Sequence, residues 1–195
     1  MPAKPKFTSG DIVGAALEIA KRDGLSSVTA REVGKALGTS SSPIFTFFDN
    51  MDDLKSAVLE TAAASFYDRI FSAAKGDLPY LEMGVETVKT AVEQPKLFRL
   101  LFVYPHDGLN AAKAKLDQSG IDRLCADIAK RNGVSPAEAE LIHNQIWFYT
   151  FGLAMHCASA EEPLAERQIR SLLSAQFAST LSYIKSGEYK RFLKN

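Results

Sequence analysis

The chain has 195 residues, 46% of them hydrophobic and 24% charged, which is enough apolar material for a sizeable core in one or two small domains. Its 23 Lys and Arg residues are matched by 23 Asp and Glu, so it has no bulk attraction for nucleic acid or acidic membranes, and any DNA contact must come from local placement of charge. No apolar run approaches the roughly 20 residues of a membrane-spanning helix, and MPAKPKFTSGD at the N-terminus lacks the apolar stretch of a signal peptide; a cytoplasmic protein with no membrane partner is expected.

Residues 1 to 7 set Lys4 and Lys6 among prolines, a basic arm in keeping with an exposed terminus. Beyond Ser9, Ile12, Ala15, Ala16, Ile19 and Ala20 recur at helical spacing, and Gly24 supplies the stop. Thr29, with Glu32 three residues on, reads as a capping box for a second helix with Ala30, Val33, Ala36 and Leu37 on one stripe. Gly38 is placed to end that helix in the left-handed conformation. Ser40 then opens a short third helix from near Ser41 to Phe48, with Pro43 confined to its first turn. Two helices joined by a glycine-containing turn make a helix-turn-helix, whose second helix has the size to enter a DNA major groove.

From Asn50 the pattern changes to long helices. Asp49 and Asn50 cap one that runs from Asp52 through Leu54, Val58, Leu59, Ala62, Phe66 and Ile70 to about Ala74. The break KGDLP places Pro79 in the first turn of the next, which extends to Glu93; Pro95 opens another, halted by Pro105 and the loop HDGLN. A helix from about Ala111 to Arg131 closes at Asn132 and Gly133. Ser135, Pro136 and Glu138 form a clean start for a helix to about Ser159, whose second half, IWFYTFGLAM, is apolar on nearly every side and is therefore expected to be buried all round. Pro163 starts the last helix, with Ile169, Leu172, Leu173, Phe177, Leu181 and Ile184 on one stripe and Gly187 at its end; EYKRFLKN is left as a short basic tail. No segment alternates as a strand does, so the fold class is all-α. The division is a helix-turn-helix DNA-binding domain over 1–50 and a helical effector-binding and dimerisation domain over 51–195.

The run Ile12, Ala15, Ala16, Ile19, Ala20, Gly24, Val28, Thr29, Arg31, Val33, Leu37, Gly38 and Ser40, continued by Ile44, Phe45, Phe48, Asn50 and Leu54, resembles the TetR family of one-component transcriptional regulators position by position. Farther on, Trp147 and Gly152 resemble a motif common in that family's second domain. The resemblance implies a homodimer that sets two recognition helices in successive major grooves of operator DNA, with a small-molecule effector pocket in each second domain, and repression as the usual outcome. It implies that Thr29 and Ser40 meet phosphates or cap helices, that Arg31 touches the backbone or a base, and that Thr39, Ser41, Ser42, Pro43 and Thr46 face base edges. Phe47 stands in the same DNA-facing element, and Lys4 and Lys6 extend it through the arm. The family usually has tyrosine at Phe45, histidine or tyrosine at Phe47 and lysine at Met51, so three phosphate grips are absent. Residues 1 to 60 carry seven basic and eight acidic side chains, which implies weak non-specific affinity for DNA.

Aromatic side chains are concentrated beyond residue 60, and with polar tips among them they suggest an apolar cavity for a flat or aliphatic effector. The ligand-binding candidates are Phe66, Tyr67, Phe98, Phe102, Tyr104, Asn144, Phe148 and Tyr149. The dimer-interface candidates, on the last two long helices, are Trp147, Met155, Leu173, Phe177, Leu181 and Ile184, because the family packs this pair against its mate as a four-helix bundle. Cys125 and Cys157 read as buried small apolar residues. His143 and His156 are too far apart along one helix to share a metal, and no nucleophile elbow, P-loop or ligand-spaced cluster is present. Neither an enzyme nor a cofactor or metal site is expected. The alternative function is a degenerate family member that binds ligands or proteins without DNA.

Overall fold

The computed structural model describes residues 7–103 and 110–191, with the backbone alone over 110–117. Lys4, Lys6 and Tyr104 lie outside the described residues. Every regular element among those described is helical.

Helix α1 spans Ser9–Asp23 and begins one residue earlier than Ser9 would cap it: Thr8 Oγ1 accepts the Asp11 N–H at 3.2 Å while Asp11 accepts the Thr8 N–H at 2.8 Å. Helix α2, Ala30–Ala36, is capped by Thr29, whose hydroxyl accepts from the Glu32 N–H at 3.2 Å. Gly38 follows with φ 64°, the left-handed conformation that a Cβ would strain.

The third helix of the sequence reading is shorter and tighter than expected. In place of a helix over 41–48 there is one 3-10 turn, Ile44–Thr46, held by Ile44 N–H to Ser41 O at 3.2 Å, Thr46 N–H to Pro43 O at 3.3 Å and Phe47 N–H to Ile44 O at 3.1 Å. Pro43 removes one donor and the preceding Ser and Thr side chains favour turns over helix interior, so the α-type bond from the Phe48 N–H to Ile44 O at 3.1 Å is not extended into a helix.

Helix α3, Met51–Ala73, starts on Asn50, whose Oδ1 accepts from the N–H groups of Asp52 at 2.9 Å and Asp53 at 3.0 Å. Four helices then follow: α4 Pro79–Glu93, α5 Pro95–Phe102, α6 Asn110–Asn132 and α7 Pro136–Ser159. The last carries the full Ser135–Glu138 capping box. Helix α8, Glu166–Ser186, begins three residues past Pro163, where Gln168 Oε1 takes the Ala165 N–H at 2.9 Å. The tail is partly structured: Glu188–Arg191 forms a 3-10 turn, and the Tyr189 hydroxyl donates to Glu138 at 2.9 Å.

The packing forms two compact units. The first runs to Phe66 and resumes at Gln94 to include α5; the second comprises Tyr67–Glu93 and the chain from Lys115 onward. In the first unit Ile12, Ala16, Val33, Ile44, Leu54 and Val58 are fully buried, and Phe66, Phe98 and Phe102 pack ring on ring at 4.8 to 6.2 Å between centroids. In the second, α4 packs on α7 and α8, and Ile128, Ala139, Ile142, Ile146 and Ile184 form a core. Helix α7 is not buried all round. Its inner side meets α4 and α8, while Asn144, Phe148 and Gly152, one turn apart on a common stripe, face outward, with Phe148 72% exposed.

Candidate DNA-reading face and ligand cavity

Two features stand out, one in each unit. In the first, buried Ile44 anchors the 3-10 turn to the core while the chain around it turns polar groups outward. Thr29, Arg31, Ser40, Ser42, Thr46 and Phe47 are exposed, and Thr39, Ser41 and Pro43 are half-buried. Phe45 and Phe47, at 50% and 38% exposure, give this hydroxyl-rich surface two apolar projections. Hydroxyls both donate and accept, so such a face can match base edges without bringing charge.

What fixes the face to α2 is Gly34, which the pattern of caps and stripes does not single out. A Cβ there would stand 3.0 Å from the Ser40 carbonyl carbon and oxygen and from Thr39 O, and the Thr39 N–H closes the turn on Gly34 O at 2.9 Å. The neighbours are backbone and cannot swing aside. The spacing of Gly34 before Gly38 is the available signal.

In the second unit a cavity of about 530 Å³ opens between the N-terminus of α4, the end of α6, and facing parts of α7 and α8. Leu81, Ile128, Ile146, Leu173 and Phe177 make its apolar wall, and Asp77, Leu78, Asp127, Arg131 and Ser174 stand at its more exposed side. Arg131 Nε donates to Asp127 at 2.6 Å and its Nη1 to Asp77 O at 3.3 Å. Tyr80 turns its ring to the cavity wall and to Phe177, 5.7 Å between centroids. Its hydroxyl donates to His143 O at 3.3 Å and lies 3.2 Å from His143 Nδ1. Burial raises the Tyr80 phenol far above its ordinary range and lowers His143, so both stay neutral near pH 7.

The expected ligand contacts are not assembled around this cavity. Phe66, Phe98 and Phe102 belong to the first unit; Tyr67 stacks on Phe71 at 6.2 Å; Asn144 and Phe148 are exposed on α7 and Tyr149 is half-buried there. Among the expected interface residues, Leu173 and Ile184 are 3% and 1% exposed and are packed within the chain itself, so the inner half of the α8 stripe is core and not interface. Phe177 and Leu181 pack on the same core, while Trp147 and Met155 are half-buried on α7. The stripe is too wide to divide by pattern alone, because the inner and outer halves of α8 are both apolar enough to bury. Among the described residues no group of three His, Cys, Asp or Glu side chains is placed to hold a metal, and no helix is long and apolar enough to cross a membrane.

Residues 12–58 match the family model for bacterial regulatory proteins of the tetR family. No curated protein matches the sequence. Among solved structures, a tetR-family transcriptional regulator from Streptomyces coelicolor superimposes with a TM-score of 0.71 at 18% identity, over 92% of this chain and 85% of that one. The fatty acid degradation regulator FadR from Bacillus halodurans gives 0.64 at 15% identity, over 93% and 97%. A single-substitution variant of TetR from Acinetobacter baumannii, in complex with minocycline, gives 0.58 at 17%, over 93% and 98%. Such identities establish a shared fold. Residues 12–58 thus carry the module that the tetR family model describes, and the chain shares the fold of solved tetR-family regulators across most of its length.

Proposed function

We propose that the protein is a ligand-responsive repressor that binds operator DNA as a homodimer and is released by a small, largely apolar effector. The observation that carries this reading is the docked, hydroxyl-rich face around Ile44, exposed at Thr29, Arg31, Ser40, Ser42 and Thr46, within the part of the chain that matches the family model. Phosphate contacts position such a module and its base-facing hydroxyls specify sequence. The effector role rests on the cavity beside Tyr80, whose volume lies in the range of drug-sized ligand sites. The homodimer rests on the open stripe of α7, where Phe148 is left uncovered by the chain's own helices. Regulators of this design work in the cytoplasm.

The first test is a gel shift with DNA from upstream of the protein's own gene. A discrete shift at low salt, lost on Arg31→Ala and Thr46→Ala substitution, is the expected result; no shift with folded protein overturns DNA binding and leaves a ligand- or protein-binding module. Because the phosphate-facing positions are Phe45, Phe47 and Met51, the logarithm of affinity should fall with the logarithm of salt at a slope shallower than about −5, fewer phosphates than the six to ten of a typical grip. A steep slope, near −10, shows phosphate contacts that this face does not supply.

A further inference from the structure

The cavity beside Tyr80 has a chemistry of its own, and its ligand class can be read from three observations; the inference rests on the effector role proposed above. The deep wall, with Ile128, Ile146 and Leu173 almost fully buried, accepts an apolar body. Within that wall Thr150 is 3% exposed, and its side-chain hydroxyl has no partner among the described residues. The neighbouring phenol of Tyr80 is already engaged with His143 and Ser174 stands at the exposed side, so Thr150 Oγ1 is the hydroxyl that the buried wall offers a guest. An apolar guest that covered it would leave a polar group unsatisfied.

The third observation is charge. The residues lining the cavity include two carboxylates, Asp77 and Asp127, and one cation, Arg131. Arg131 is directed at both: its Nε holds Asp127 at 2.6 Å and its Nη1 the Asp77 carbonyl at 3.3 Å. The Asp77 carboxylate has no side-chain partner among the described residues, and Leu78 next to it, 61% exposed, extends the apolar surface to the rim. The lining therefore carries one excess negative charge at its outer end; the N-terminus of α4 and the C-terminal end of α6 both border it with opposite dipole signs, so the side chains set the balance. An anionic head would meet a guanidinium that is already neutralised, beside two acids.

We infer that the cavity binds an amphiphilic amine: a cationic head at Asp77 and Asp127, and an apolar body with a hydrogen-bonding group that meets Thr150. The test is calorimetry on the full chain, without DNA, using decylamine, 1-decanol, decanoate and 10-amino-1-decanol below their aggregation limits. Decylamine should bind about tenfold or more tightly than decanol and decanoate, as one partly screened charge contact implies. The Asp77→Asn, Asp127→Asn double variant frees Arg131 and reverses the excess charge, so decanoate should then outbind decylamine. Both positions are exposed or half-exposed, and the melting temperature checks that the fold is kept. Thr150→Val keeps the side-chain volume, and should weaken 10-amino-1-decanol relative to decylamine several-fold. Equal or tighter binding of decanoate by the unaltered protein, or an unchanged order of affinities in the double variant, overturns the proposal. Gel shifts with and without decylamine separate the two readings: binding that leaves the DNA complex intact keeps this site and removes its regulatory role.

Discussion

At the scale of single residues, the candidate DNA-reading face depends on a position without a side chain to read. Gly34 permits the 38–40 turn to lie on α2, with backbone atoms 3.0 Å from where a Cβ would be. Gly34→Ala should therefore lower stability by about 1–3 kcal/mol through overpacking, and weaken operator binding by shifting the turn. Gly14→Ala, at an open position inside α1, should instead raise stability by about 0.5–1 kcal/mol. Denaturant titration of the two variants checks the contrast; equal effects refute the close-approach account. His143 offers a second residue-level prediction. Burial holds its folded value below the ordinary 6.5, against a smaller opposing pull from Glu140, so the folded state binds fewer protons than the unfolded state over that interval. The stability it protects is complete above pH 6.5 and is lost as pH falls from there through the depressed value, at up to about 1.4 kcal/mol per pH unit. Unfolding midpoints at pH 7.5 and 5.5 should differ less in His143→Asn than in the unaltered chain. Caps such as Thr29, Asn50 and Ser135 were legible in the sequence because each acts on its own neighbours; Gly34, Thr150 and the Tyr80 to His143 bond were not, because their partners are remote or are backbone.

At the scale of elements, helix positions followed from local signals and helix faces did not. The bounds of α4 and α7 agree with Pro79, Glu93, Ser135 and Ser159 because proline and capping groups act within a turn. The Ile44–Thr46 turn departs from the expected helix because Pro43 lacks an N–H and the Ser and Thr residues before it have low helix preference. Faces depend on which neighbour arrives. Across the end of α3, α4 and α8 a line of charges runs through the second unit: Glu93 and Glu86 to Arg69, Lys89 to Glu86 and Glu166 at 3.8 Å, and Arg170 to Glu166 at 2.9 Å and to both Glu82 oxygens at 2.6 and 2.8 Å. Arg170 and Glu82 remain about one third exposed, so solvent screens them. Arg170→Met is expected to cost no more than about 1 kcal/mol at low salt, with the difference from the unaltered protein vanishing in molar salt. Arg69→Met should cost more, about 1–2 kcal/mol, because Glu86 is only 17% exposed and loses its guanidinium partner. Thermal melts at two salt concentrations distinguish the two sites.

For the whole molecule, the outward stripe of α7 is where the proposed homodimer is open to test. Phe148 is exposed across most of its surface, Gly152 stands one turn on with nothing near its missing Cβ, and Leu172 on α8 is exposed at 38%. A large apolar ring beside a position without a side chain is a pattern that lets a second helix approach closely and receive the ring, and in the proposed homodimer a two-fold axis would set each Phe148 against the other copy's stripe. The same axis would give two DNA-reading faces, so dimerisation and operator affinity are linked. Phe148→Glu buries a charge without a partner if the stripe is an interface, and leaves the monomer's core untouched because the side chain already faces outward. Sedimentation of this variant should show a monomer with an unaltered unfolding transition at low concentration, and its affinity for a two-fold operator should fall by at least about a hundredfold, while affinity for an isolated half-site stays the same. A variant that remains dimeric and keeps operator binding would place the interface elsewhere; one that dissociates yet binds the full operator as before would show that the two half-sites are read independently.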